Sequence, residues 1–537
     1  MTNSWLEKVV VCLCVGLLGA CAPERDGVGG TIPAPAPPTP GVSLPEVGDY
    51  EAVPLAACKV RPKGSTTAEC GSLESFDLSG CDSKSLLGLR TEGFFNMRMH
   101  RSDIVENELA ATLRPGDFTV DRGASAAHPM FRRSTNTYSD GRVAVVAQVG
   151  CSARGTDVVT GCELTCINGV ESRSFTFEGT RIRRRAGEGE SGGELPLVGE
   201  AATGPGMATD VYVTKGHAYV VSLDDVFAGD GGLYVFDIKD RKAPRLVATV
   251  RHASENYWNS VWAKDDALYI ASGDRGILVF DISQPANPRF VRDLSNGTRQ
   301  NVHTVQVDGS RLYATLIDPT LETLIYDVKN PREPVLLGRY LDESVGSLKS
   351  MVHDTTSFEG RLYVNHWSAG MLILDPTDPA NVKKVGAYKY PRASSHAARV
   401  GRINGNLTGF EGGEGWGAHL RVLDLADEKN PRLIGEYKLS PEVSIHNMEL
   451  VGSRLYLAHY QHGVRVLDVS GPAKPVELAY YNTWRETDAN RGTSPWDGAI
   501  GIRVPGDGYV YVVDTSRGLL IFPEVMYTDI PEDPNEL

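Results

Sequence analysis

Four histidines occupy matched places in a recurring pattern. His303, His353 and His446 each stand nine residues before a Leu-Tyr pair (Leu312, Leu362 and Leu455), and His396 falls close to the equivalent place in another copy. Asn259 fills the same slot ahead of Leu268. Imidazole ligates borderline transition metals and moves protons near neutral pH. Three uses are therefore open for this set. It can be a metal site with His303, His353, His396 and His446 as ligands, a pocket for a small polar ligand, or the lining of a watery channel. Loops after the Leu-Tyr strands add His366, Trp367, Glu411, Glu414, Trp416, His419, His459, Tyr460, His462 and Arg517. Trp496, Asp497, Asp210 and His252 map nearby, so nine of the twelve histidines are expected on one rim. Asn259, His366, Trp367, Trp416, His419, His459, Tyr460, His462, Trp496 and Asp497 are the expected ligand-binding residues. The acidic run Asp224, Asp225 and Asp230 is a weaker calcium candidate, because its spacing matches no known loop. No G-x-S-x-G, H-E-x-x-H or P-loop motif is present, and Gly187–Gly192 follows no βα pattern.

Side chains so far apart in sequence meet only if the repeats are wheeled about an axis. The stretch 267–290 reads as two period-2 strands around a Gly-bearing turn, an Asp at Asp281, a Pro-rich turn and an outer strand. That Asp recurs as Asp237, Asp281, Asp327, Asp375, Asp424 and Asp468, between 44 and 49 residues apart. Seven positions after each comes Pro244, Pro288, Pro334, Pro431 or Pro475, with Val382 as the exception. The Asp residues are expected to accept backbone N–H bonds of the turn and not to bind metal. One further strand per copy, for example 302–307, gives four strands in about 45 residues, the size of a propeller blade.

Gly-Ile-Leu-Val-Phe-Asp281-Ile-Ser-x-Pro-x-x-Pro and Gly-Val-Arg-Val-Leu-Asp468-Val-Ser-Gly-Pro-x-x-Pro resemble the LVIVD repeat family of exported bacterial and archaeal proteins. The resemblance covers residues 195–525 and implies an all-β β-propeller, and counting the copies at Gly232, Gly276, Leu321, Gly370, Ala418, Gly463 and Gly518 makes it seven-bladed. For function it implies only a cell-surface or exported protein. Axial histidines are also similar to the iron site of carotenoid-cleaving oxygenases, although nothing else in the chain resembles them. The seventh copy, Gly518–Phe522, lacks its outer strand. Leu195–Ala201 resembles Pro431–Tyr437, so residues 195–201 are expected to supply that strand and close the ring, removing two bare sheet edges.

At 537 residues the chain needs more than one domain. A net charge of −14 argues against nucleic acid as a partner. Residues 1–20 read as a signal segment: Lys8, then an apolar run too short to span a membrane. Leu18-Gly19-Ala20-Cys21 resembles the lipobox of bacterial lipoproteins, which implies lipidation of Cys21 and anchoring in the cell envelope, with Ala22 suiting the outer membrane. Residues 21–48 form a Pro-rich tether. Cys58, Cys70, Cys81, Cys151, Cys162 and Cys166 are six of the nine cysteines, all precede the repeats, and read as three disulfides in a small β-rich domain, residues 50–185. The fifteen possible pairings stay open. Within that domain the basic run Arg181, Arg183, Arg184 and Arg185 is expected to be a solvated strand end. Residues 186–194 are expected as a linker, 195–526 as the propeller and 527–537 as an acidic tail. The function expected is that of a lipid-anchored binding protein presenting a His- and Trp-rich face to a small polar ligand or a protein. The alternative is a metal-dependent oxygenase or hydrolase.

Overall fold

A computed structural model describes residues 42–525 except 52, 62–68, 91–92, 102–113, 118–127, 139, 205, 224–230, 253–254, 345–349, 489–490 and 492–493. The signal segment, Cys21, most of the tether, the Asp224–Asp230 run and the acidic tail lie outside the described residues. Among those described there is no α-helix, only strands and three short 3-10 turns.

Period-2 burial builds the repeats. In Gly276–Asp281 every residue but the last is buried, and the outer strand Arg289–Asp293 is almost wholly exposed. Each copy is an antiparallel sheet in sequence order: sheet 1 (207–250), sheet 2 (258–293), sheet 3 (301–341), sheet 4 (354–388), sheet 5 (395–437) and sheet 6 (447–481). Sheet 7 joins Ala499–Arg503, Tyr509–Asp514 and Gly518–Pro523 to Gly199–Ala201, with Glu200 opposite Leu520. First strands of successive sheets touch one another, and the first strand of sheet 7 touches that of sheet 1. Such packing of four-stranded sheets is the propeller arrangement.

Two side-chain regularities fix the spacing. Asp237, Asp281, Asp327, Asp375, Asp424 and Asp468 each accept the N–H two residues on, at 2.7–3.1 Å, as turn residues should. The turn so formed then packs on the outer strand of the preceding sheet. A Cβ at Gly338, Gly386 or Gly435 would lie 1.7, 1.9 or 2.4 Å from a backbone oxygen of the next sheet's turn, which explains the glycine. Gly199 repeats this contact between sheets 7 and 1, with the oxygen of Arg241 at 2.2 Å.

The N-terminal domain is a six-stranded antiparallel sheet in the order Arg114–Asp117, Phe94–His100, Val170–Arg181, Val158–Ile167, Val143–Arg154, Phe131–Thr137. Three disulfides, Cys58–Cys162, Cys70–Cys166 and Cys81–Cys151, staple the 58–81 segment to two of these strands. Residues 186–194, expected as a linker, are part of the body. Ser191–Gly192 pairs with Tyr480–Tyr481 as a fifth strand of sheet 6, and Arg465 Nη1 donates to Glu188 at 2.8 Å. The end of the expected tether is likewise docked, because Leu44 N donates to Leu433 O at 2.9 Å. Nor is the basic run simply solvated: Arg181 pairs with Glu486, Arg183 with Asp157, and Arg185 with Glu188 and Glu477.

Candidate metal centre

The four histidines converge. His353 and His446 immediately precede the first strands of their sheets and His303 and His396 lie within the first three residues of theirs, so the propeller arrangement brings the four side by side on the axis. Ring centroids lie 4.3 Å apart for His303–His353, 4.0 Å for His353–His396 and 4.5 Å for His396–His446. All four are 0% exposed. Glu414, from the loop after the second strand of sheet 5, joins them with Oε2 3.7 Å from His396 Nε2.

Hydrogen bonds orient the rings. Asn259 Nδ2 donates to His303 O at 2.8 Å and lies 3.1 Å from His303 Nδ1, and His303 Nε2 is 2.9 Å from His353 Nε2. His446 Nδ1 donates to Ile500 O at 2.7 Å, which leaves Nε2 as the unprotonated nitrogen of a neutral ring. Tyr460 donates its hydroxyl proton to Glu414 Oε1. Its ring lies 5.0 Å from His446 and 5.5 Å from Trp496, while Trp367 stands 5.6 Å from His353. Trp367 and Tyr460 both take positive φ, +35° and +40°, in matched turns of sheets 4 and 6. For bulky residues this conformation is strained, and both rings abut the cluster.

Burial sets the charge state. It pushes His303 and His446 down to about 3, with His446 also repelling a charge on His303, and holds His353 well below the ordinary value. Burial raises Glu414 well above the carboxylate range. His303, His353 and His446 are therefore neutral, buried imidazoles beside one buried carboxyl group.

Below it lies a layer that the sequence reading missed. Trp262, Gln306, Arg399, Glu449 and Arg503 stand three residues after Asn259, His303, His396, His446 and Ile500, and all are buried. Register shifts in the first strands of sheets 2, 3, 5 and 7 let positions three apart share the axial side. Arg503 Nη1 donates to Glu449 Oε1 at 3.2 Å, its guanidinium lies over Trp262 at 4.5 Å, and Arg399 comes within 3.7 Å of Glu449.

Part of the face expected to present a ligand is covered by the chain itself. The N-terminal domain sits on the loops of sheets 5, 6 and 7. Asn96 Nδ2 donates to Glu442 O at 2.7 Å, Phe94 packs on Trp484 at 5.7 Å, and Arg98 lies over Trp416 at 5.4 Å. Phe94 and Ile182 share one apolar core with Tyr460, Val443 and Trp484. Trp416 is therefore an interdomain residue. The remaining rim residues are dispersed. His366 bonds Ser350, and His419 sits between Asp49 and Glu436. His459 and His462 face each other 5.2 Å apart with His462 on Ser440. Asp497 is held by Thr515, and burial raises it to about 7, Asp514 adding to the rise. Asp210 accepts from Val211 N and Val261 N, Glu411 from Tyr390, His252 contacts Arg275, and Arg517 pairs with Glu200.

Comparison with protein families matches the LVIVD repeat to residues 205–251, 257–294 and 446–483. A search of curated proteins finds no match. Among solved structures, the computationally designed Ika8 protein aligns with TM-score 0.41 and 10% identity over 69% of this chain and 95% of its own. The Cps50 (Swd1) β-propeller domain of Myceliophteria thermophila aligns with TM-score 0.43 and 15% identity, covering 62% of this chain and 99% of that one. The WD40 β-propeller domain of Doa1 gives TM-score 0.43 and 12% identity, with 62% and 97% covered.

Proposed function

The chain carries LVIVD repeats, and from that footing we propose that it is a tethered binding scaffold of the cell envelope. Its seven sheets form a closed ring locked by residues 195–201, anchored through a lipid on Cys21 to the outer membrane, with a protein as partner. The contacts that repeat between sheets 7 and 1 support closure.

One observation carries the partner reading. The chain's own segments cover the outer strands of two sheets: Leu44 lies on Leu433 of sheet 5, and Ser191–Gly192 pairs along sheet 6. No described strand pairs with the outer strands of sheets 1, 2 and 3, and these expose apolar side chains. Leu246 is 45% exposed, Phe290 45%, Val335 60% and Leu341 49%. Bare, apolar strand edges are templates for strand addition by another chain. Replacing Val335 and Leu337 together by Asp tests this, read by crosslinking in intact envelopes. Loss of the crosslinked partner with the fold retained supports the reading, and an unchanged adduct sinks it. A Cys21→Ala variant released from the membrane fraction supports the lipid anchor.

The axial histidines favour a second reading, the metal-dependent enzyme. All four rings are 0% exposed, which weighs against turnover of a substrate.

A further inference from the structure

We propose that the axial cluster binds one divalent transition-metal ion, with His353, His396 and Glu414 as its core ligands and His446 beside them. One potential ligand atom from each of His353, His396 and Glu414 lies within 4.8 Å of the other two. Two buried polar atoms of the cluster have no hydrogen-bond partner: Glu414 Oε2 and His446 Nε2. Leaving a buried polar atom unmet is costly, and native proteins keep few of them. Two in one cluster, each able to offer a lone pair, call for a shared electrophile.

The outer atom of each of these side chains is already engaged, as it is in metal sites whose ligands are aimed by partners behind them. His303 occupies Nε2 of His353, Ile500 O takes the Nδ1 proton of His446, and Tyr460 holds Oε1 of Glu414. His303 thus leaves the expected four-histidine ligand set and becomes a positioning residue, itself held by Asn259. Glu414 enters in its place and brings the negative charge a dication needs in a dry site. Two imidazoles and a carboxylate suit Fe(II), Mn(II), Co(II) or Zn(II). Calcium and magnesium prefer oxygen donors, and Cu(I) prefers sulfur. Among the described residues the other cluster with suitable side chains, Cys58, Cys81 and Cys151, is spent in disulfides.

The test uses the full chain, untagged, purified without chelator and titrated with Co(II), which reports imidazole and carboxylate ligation by its visible absorption. One ion per chain is expected in the wild type and in His462→Gln, a buried histidine outside the cluster. Glu414→Gln and His396→Gln should each weaken Co(II) binding by more than roughly 100-fold, and His303→Gln by roughly 10- to 100-fold, the range for a residue behind a ligand. Should the ligand variants fail to fold, anomalous scattering from wild-type crystals grown with Co(II) decides. A peak between His353, His396 and Glu414 supports the site. Waters alone there, a peak elsewhere, or equal binding by the Glu414→Gln and wild-type chains overturns it.

Discussion

Arg421 and Asp49 lie 372 residues apart in sequence, yet Arg421 Nη2 donates to Asp49 Oδ1 at 2.7 Å. Arg421 Nε also reaches Glu46 at 2.8 Å, and the guanidinium is fully buried over the Tyr390 ring, 3.7 Å from its centroid. A segment that composition marks as a spacer is therefore a strap on sheet 5. Its ion pairs set where the folded body begins.

The strap should loosen with rising pH. His419 is the titrating group: burial disfavours its charge, but hydrogen bonds to Asp49 and Glu436 outweigh burial and raise its pKa. Glu436 in turn is held down to about 2, first by His419. A raised histidine stabilises fully below its unfolded pKa of about 6.5, and that contribution is lost as pH rises through the higher folded value. Proteolysis near residues 42–50 should accelerate across that interval in the wild type. In His419→Ala it should be fast and flat with pH. A wild-type rate that falls as pH rises contradicts the assignment.

A glycine should prove irreplaceable for reasons of approach and not of φ. In Gly338→Val the new side chain starts 1.7 Å from Pro379 O, a backbone atom that no rotamer moves aside. Overpacking of this kind costs about 1–3 kcal/mol. Gly471→Ala, with nothing within 4 Å, should stay within about 0.5 kcal/mol of wild type. Denaturant unfolding of the two variants gives the comparison, and equal stability would show that the sheets separate easily.

Much of this architecture is legible in the repeats, because the Asp and Pro register fixes strand number and turn position, and the nine-residue offset fixes which side chains start each inner strand. That offset places His303, His353 and His446 together, and His396 falls close to the equivalent place. Arg399 and Arg503 are not legible, since period-2 logic puts positions three apart on opposite faces and a register shift reunites them, while Glu449 follows a histidine that stands just ahead of its strand. His366, His419, His459 and His462 were assigned to the same mouth by loop position. Loop residues choose their direction by local partners such as Ser350, Asp49 and Ser440, which no periodicity reveals. Docking of the N-terminal domain was equally hidden, because Phe94 and Asn96 read as ordinary strand residues.

Reduction should uncover that docked face. Each disulfide closes a long loop, separated by 104, 96 and 70 residues, and removing one costs about 2–5 kcal/mol in a small domain. Cys81→Ser with Cys151→Ser should therefore weaken the sheet that carries Phe94 and Arg98. Trp484 and Trp416, 6% and 5% exposed, would then meet water, and tryptophan emission should shift to the red. Unshifted emission after full reduction would mean that the interface holds without the staples.

The buried pair beneath the histidines gives the sharpest stability test. Glu449 is 1% exposed and faces both Arg399 and Arg503. Glu449→Gln keeps the shape but removes the buried carboxylate that faces both guanidinium groups, with Asp210 standing 3.7 Å from Arg503. Breaking a buried ion pair from one side costs about 3–5 kcal/mol. Replacing Glu449 and Arg503 together by Leu and Met removes one stranded charge along with its partner, so the double variant should recover part of the loss. Chemical denaturation of both variants measures this coupling. A double variant no more stable than Glu449→Gln would show that Arg503 is held by its other neighbours, Trp262, Asp210 and the Val211 carbonyl among them, and not by the ion pair.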